Sequence, residues 1–160
     1  MVRRHIISQF KTYQQTTEYS CACASALMVL KHFGADNYDE MQIGKLVGVD
    51  TTHGTSVEGL SDFFESIGLK TESHASTTPY FDTVEDFEKF ALEKIDNNIP
   101  IMVDWVDWQV LIGIDTCGTE SVYDVVMILA DPYDVTDHYQ DGYYESCVPG
   151  FENNLIVITE

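Results

Sequence analysis

The chain is 160 residues long, 44% hydrophobic and 12% aromatic, with 27 acidic residues against 8 basic ones and a formal charge of -19. Such an excess of negative charge repels nucleic acid and anionic lipid and excludes both as partners. The length is enough for one core without covalent staples, and the expectation is a single domain over residues 1–160.

No run approaches the roughly 18 uninterrupted apolar residues of a membrane span. The opening MVRRHIISQF has the charge of a secretory signal without its apolar segment, so the expected location is cytoplasmic, with no membrane insertion. The acids are scattered, with no block of five like charges, which describes a strongly solvated surface. The four cysteines, Cys21, Cys23, Cys117 and Cys147, are too few and too irregularly spaced for a disulfide framework or a paired zinc site. The stretch DPYDVTDHYQD, with Asp131, Asp134, Asp137, His138 and Asp141, lacks the spacing of a calcium loop. Neither metal nor cofactor is expected.

Residues 1–12 alternate weakly, as an edge strand or arm does. Ser20 stands as N-cap of a helix running to Phe33 and stopped at Gly34, apolar enough to be the central buried helix. A second helix is expected over Tyr38 to Val47, with Met41, Ile43, Leu46 and Val47 inward and Gly48 at its end. Thr55 and Glu58 make a capping-box pattern for a third, to Ile67, whose inner stripe is Leu60, Phe63, Phe64 and Ile67. LKTESH then reads as a short strand. Thr83 caps a fourth helix with Phe87, Phe90, Ala91 and Ile95 on its buried face. After Pro100 the pattern changes to β-branched and aromatic runs, IMVDW, WQVLIGID, VYDVVMILAD and LIVIT. Helices first and strands second indicate an α+β fold, N-terminal helices packed on a C-terminal antiparallel sheet.

Chemistry concentrates in QTTEYSCACASALMVLKHFG, residues 15–34. A thiol at a helix N-terminus feels the positive end of the macrodipole, which favours thiolate. A glutamine amide just upstream can donate to a developing oxyanion. Cys21 is thus the candidate nucleophile and Gln15 its candidate oxyanion donor, against the plainer readings of a small buried residue and a turn residue. Cys23 lies on a different face of the same helix and is read as packing, because C-x-C is not the thioredoxin-type spacing.

The order of these elements resembles the papain-like cysteine peptidases, specifically the compact bacteriocin leader-peptide peptidases and their stand-alone relatives. Three segments carry it: Gln15 and Cys21 at Q-x5-C spacing with the helix that follows; HGTSVEGLSDFFESIGLKTE, residues 53–72; and IPIMVDWVDWQVLIGID, residues 99–115, with VVMILADPYD, residues 125–134. The resemblance implies attack of a Cys21 thiolate on a peptide or protein substrate, stabilisation of the oxyanion by Gln15 and the backbone N–H of Cys21, and Asp131 as third member of the site. It leaves the oligomeric state open.

One position departs from that family. Where it places its catalytic histidine, before W-Q-V-L-I-G, this chain has Asp107. An imidazole titrating near 6.5 takes a thiol proton at neutral pH and returns it to a leaving amine, whereas a carboxylate near 4 is a poor base and repels a thiolate. The alternative reading is therefore a catalytically degenerate fold that binds peptide or serves as a scaffold. Among the other histidines, His5, His32, His53 and His74 suit surface or capping roles, and His138 is the best substitute base.

Overall fold

The computed structural model describes residues 4–7, 10, 13, 20–35, 37–48, 57–74, 84–104, 108–115, 126–130, 132, 143–147 and 154–158. In chain order these contain β1 (Arg4–Ile6), α1 (Cys21–His32), α2 (Glu40–Val47), α3 (Val57–Ser66), β2 (Thr71–His74), α4 (Val84–Asp96), β3 (Ile101–Asp104), β4 (Trp108–Asp115), β5 (Val126–Ala130), β6 (Tyr143–Cys147) and β7 (Asn154–Ile158). Thr55, Thr83, His53 and His138 lie outside the described residues.

The strands form one sheet in the order β2-β7-β3-β4-β5-β6, with β1 paired to β4. Every pairing is antiparallel, so the α+β expectation holds. β3 takes the first half of one edge of β4, with Ile101 opposite Leu111 and Asp104 opposite Trp108. β1 pairs with the second half, with Ile6 opposite Gly113. β6 was not expected from the sequence, whose YYESC lacks a run of core hydrophobics.

Alternation along the strands gives the sheet two apolar faces. Met102, Val110, Ile128 and Ile156 pack with Leu27, Leu30, Leu60 and Phe64 of α1 and α3. Ile101, Leu111, Leu129 and Val157 pack with Phe87 and Ala91 of α4. The helices therefore do not gather on one side: α4 covers the opposite face from α1, which a pattern of helices followed by strands does not reveal. Between Leu111 and Gly113 the β4–β5 register shifts. That bulge moves Ile114 to the α4 face, although Val110 and Ile112 face α1.

α1 ends as expected at Gly34 (φ 80), where the Ala35 amide donates to the Leu30 carbonyl at 2.8 Å and the Gly34 amide to Lys31 at 3.1 Å. α4 closes the same way on Asn98, which takes φ 60 while the Ile99 amide donates to Lys94 at 2.8 Å. His32 Nε2 donates to the Asn98 carbonyl at 2.7 Å, so this imidazole ties the end of α1 to the end of α4 instead of serving its own helix dipole. His5 Nδ1 donates to Asp96 Oδ1 at 2.9 Å and joins β1 to α4.

α2 differs from expectation in phase. It begins at Glu40 behind a capping box, with Gln42 N–H donating to Asp39 Oδ1 at 2.8 Å and Asp39 N–H to Gln42 Oε1 at 2.9 Å. Glu40 and Ile43 are its buried residues, whereas Met41 and Leu46, expected inward, are each 61% exposed. An inner face phased on Glu40, Ile43 and Gly44 turns positions 41 and 46 toward solvent.

Candidate functional site

Cys21 is the first residue of α1 and is partly exposed, whereas Cys23 two residues on is buried. The helix behind it is lined on its inner sides by Ala22, Ala24 and Ala26, small side chains that let α1 sit close to the sheet. One turn after Cys21, the buried Ser25 hydroxyl donates to the backbone carbonyl of Trp108 at 3.2 Å. This bond attaches the Cys21-bearing end of α1 to the first residue of β4.

Gln15, Asp107 and Asp131 lie outside the described residues. Asp107 precedes Trp108, the residue bonded to Ser25. Asp131 follows Ala130, the last residue of β5, which pairs with Val110 near the start of β4. The beginning of β4, the end of β5 and the first turns of α1 thus belong to one end of the fold.

The two cysteines of α1 have different environments. Cys23 is fully buried and faces Gly44 of α2, where an added Cβ would lie 3.6 Å from its sulfur. Burial, reinforced by the charges of Glu40 and Cys21, pushes the Cys23 thiol up to about 12. Cys23 therefore remains a neutral packing group at physiological pH, as its spacing from Cys21 suggests.

Ser20 holds the N-cap position but does not act as a cap. Its backbone is at φ -103, ψ 23 and its side chain makes no bond to the helix. The hydroxyl instead donates to Glu40 Oε2 at 2.8 Å, in a buried setting. Glu40 is 3% exposed, an unusual burial for a carboxylate. Sequence reasoning missed both Glu40 and Ser25. Nothing in the spacing distinguishes Glu40 from the other acids, but Ser25 is legible in retrospect as a hydroxyl four residues after Cys21 within an apolar helix. Among the described residues no group of three or more His, Cys, Asp or Glu side chains is arranged to hold a metal ion, and no helix is long and apolar enough to cross a membrane.

Solved structures share this fold. The peptidase domain of Streptococcus ComA, a bi-functional ABC transporter involved in quorum sensing, is similar over 95% of this chain and 100% of its own, with a TM-score of 0.64 and 15% identity. A double glycine motif protease from an AMS/PCAT transporter, solved in complex with a leader peptide, matches over 96% and 97%, with a TM-score of 0.61 and 15% identity. A Bacillus anthracis protein described as a C39-like peptidase matches over 99% and 98%, with a TM-score of 0.66 and 12% identity. At these identities the likeness is one of fold. No curated protein matches in sequence. The family assignment comes from the sequence itself: residues 9–95, more than half of the chain and reaching from before α1 into the last turn of α4, match the Peptidase C39 family, and the chain belongs to that family.

Proposed function

We propose that this chain is a cysteine peptidase-like protein that acts on peptides through Cys21, within a single domain spanning residues 1–160. The observation that supports this reading is the Ser25 to Trp108 hydrogen bond, which seats the helix of the thiol on the strand that follows Asp107 in sequence, the position at which the family resemblance puts the general base. The Cys21 thiolate attacks the carbonyl carbon of an extended peptide, Gln15 and the Cys21 N–H hold the oxyanion, and collapse of the adduct breaks the C–N bond, the amine leaving with the proton given up by the thiol. Water then cleaves the thioester, releasing the acid and restoring the thiol. A peptide substrate agrees with the leader peptide bound to the double glycine motif protease. Small residues before the scissile bond agree with the double glycine motif of that protease.

Asp107 favours a second reading. A carboxylate there neither takes the thiol proton efficiently nor returns it to the leaving amine, and Asp131 has no imidazole to orient. In that reading the chain binds peptide without turnover. Hydrolysis and binding of extended peptides by the wild type, Cys21→Ala and Asp107→His separate the two. The peptidase reading expects turnover that Cys21→Ala abolishes and that Asp107→His raises by about 10²-fold or more, the range of general acid–base catalysis. Peptide affinity that survives Cys21→Ala, with no turnover in the wild type or Asp107→His, establishes the second reading. Neither turnover nor affinity overturns both.

A further inference from the structure

A carboxylate taken out of water is costly unless specific partners compensate it, so the burial of Glu40 at the start of α2 calls for a reason. Capping α2 is not the reason, because Asp39 and Gln42 already form a complete capping box there. Nor does packing require a charge where a side chain of similar volume without one fits. One contact of the carboxylate is with the residue that precedes α1: Glu40 Oε2 accepts the Ser20 hydroxyl at 2.8 Å. Its charge also reaches the first turn of α1, where it adds to burial in raising the Cys23 thiol, and Tyr13, whose phenol is raised by burial and then by Glu40 and Asp39.

Ser20 is the residue immediately before Cys21, and its hydroxyl, which at an ordinary N-cap bonds the second or third amide of the helix, is taken by Glu40. We propose that Glu40 is a positioning residue for the Cys21 thiol, acting through the hydroxyl of Ser20. The bond ties the residue preceding the thiol to α2, so the place of Cys21 at the helix terminus is set by the packing of two helices and not by the fraying end of one. It also keeps the Ser20 side chain off the first-turn amides, whose positive field favours a thiolate. The inference rests on Cys21 being the thiol of the site.

The test is the alkylation rate of Cys21 by iodoacetamide at neutral pH, resolved by residue with mass spectrometry. It compares the full chain, Ser20→Ala, Glu40→Ala, the double variant and Glu40→Gln, with circular dichroism and thermal melting to confirm folding. Ser20→Ala and Glu40→Ala each slow Cys21 by about fivefold, the upper range of a helix-terminus interaction. The double variant is no slower than the slower single one, because both remove the same bond. Glu40→Gln, which keeps an acceptor oxygen but no charge, stays within about twofold of wild type, the scatter of independent substitutions. Should Glu40→Ala fail to fold, Ser20→Ala and Glu40→Gln still decide the question.

Three results overturn the proposal: equal acceleration in Glu40→Gln and Glu40→Ala, which means that Glu40 acts by charge alone; multiplicative effects in the double variant; or no change in Ser20→Ala. If wild-type Cys21 reacts no faster than a free small-molecule thiol, the nucleophile reading fails, while the ratios among variants still judge the tie between Ser20 and Glu40.

Discussion

The Ser25 hydroxyl donates to the Trp108 carbonyl across 3.2 Å, joining the helix that begins at Cys21 to the strand that begins one residue after Asp107. The donor is completely buried and Trp108 is nearly so, so a lost bond cannot be replaced by water without opening the core. This directional bond, one turn behind the thiol, acts with the apolar packing of α1 on the sheet to set how the helix sits on β4.

Ser25→Ala removes that donor and leaves a buried carbonyl short of one partner, which costs about 1–3 kcal/mol. Denaturant unfolding monitored by tryptophan fluorescence measures it. A midpoint equal to wild type would mean that the carbonyl is satisfied elsewhere and that Ser25 does not hold the site.

Gly113 is where β1 crosses close to β4. A Cβ there would meet the His5 carbonyl oxygen at 2.8 Å, Ile6 Cγ1 at 3.1 Å and Ile128 Cβ at 3.2 Å. The first is backbone held in the sheet and cannot yield cheaply. Gly113→Ala therefore destabilises the fold by about 1–3 kcal/mol and loosens β1 first. Hydrogen exchange at the Ile7 amide, which donates to Ile112 at 2.8 Å, reports that loosening. Unchanged protection at Ile7 would contradict it.

Asn98 holds a left-handed conformation at the end of α4 and offers its carbonyl to His32. Asn98→Ala should cost a part of the roughly 1–2 kcal/mol that this conformation costs a residue with a Cβ, because asparagine offsets some of that penalty through its short polar side chain. Asn98→Gly should be nearly neutral, because glycine has no Cβ to penalise there and keeps the carbonyl. Thermal melts of the two variants separate the backbone effect from the loss of the asparagine side chain, and equal losses would assign the effect to the side chain.

Cys23 sets an alkaline limit. Its thiol is raised from an ordinary 9.0 to about 12, first by burial and then by Glu40 and Cys21. The folded state thus holds this proton more tightly than the unfolded chain. The contribution is fully present below pH 9 and is lost as pH rises from 9 toward 12. Relative to Cys23→Ala, the wild type should lose melting temperature across that window and not below it. Parallel melting curves for the two proteins from pH 7 to 11 would count against the assignment.

Much of this architecture is legible in the sequence because it depends on local patterns. The apolar stripe of Leu60, Phe63 and Phe64, the stops at Gly34 and Gly48 and the β-branched runs of β3, β4 and β7 follow from periodicity and turn chemistry. Features set by tertiary contact are not legible. Met41 and Leu46 look like core until Glu40 and Ile43 determine which way α2 faces. β6 carries little strand signal because its place depends on pairing with β5. Ser20 has the right identity for a cap, yet a buried carboxylate twenty residues away claims its hydroxyl. The candidate site divides in the same way: a thiol opening a helix announces Cys21, while Ser25 and Glu40 emerge only when α1 is set against β4 and α2.

The most direct measurement of the central claim, that Cys21 is the thiol through which this chain meets peptides, is competition between a thiol-directed electrophile and an extended peptide, read separately at each of the four cysteines. The account predicts that Cys21 is modified first, that Cys23 stays unmodified in the folded chain at neutral pH, and that saturating peptide protects Cys21. Slow, non-selective modification of Cys21 that peptide does not alter would contradict it.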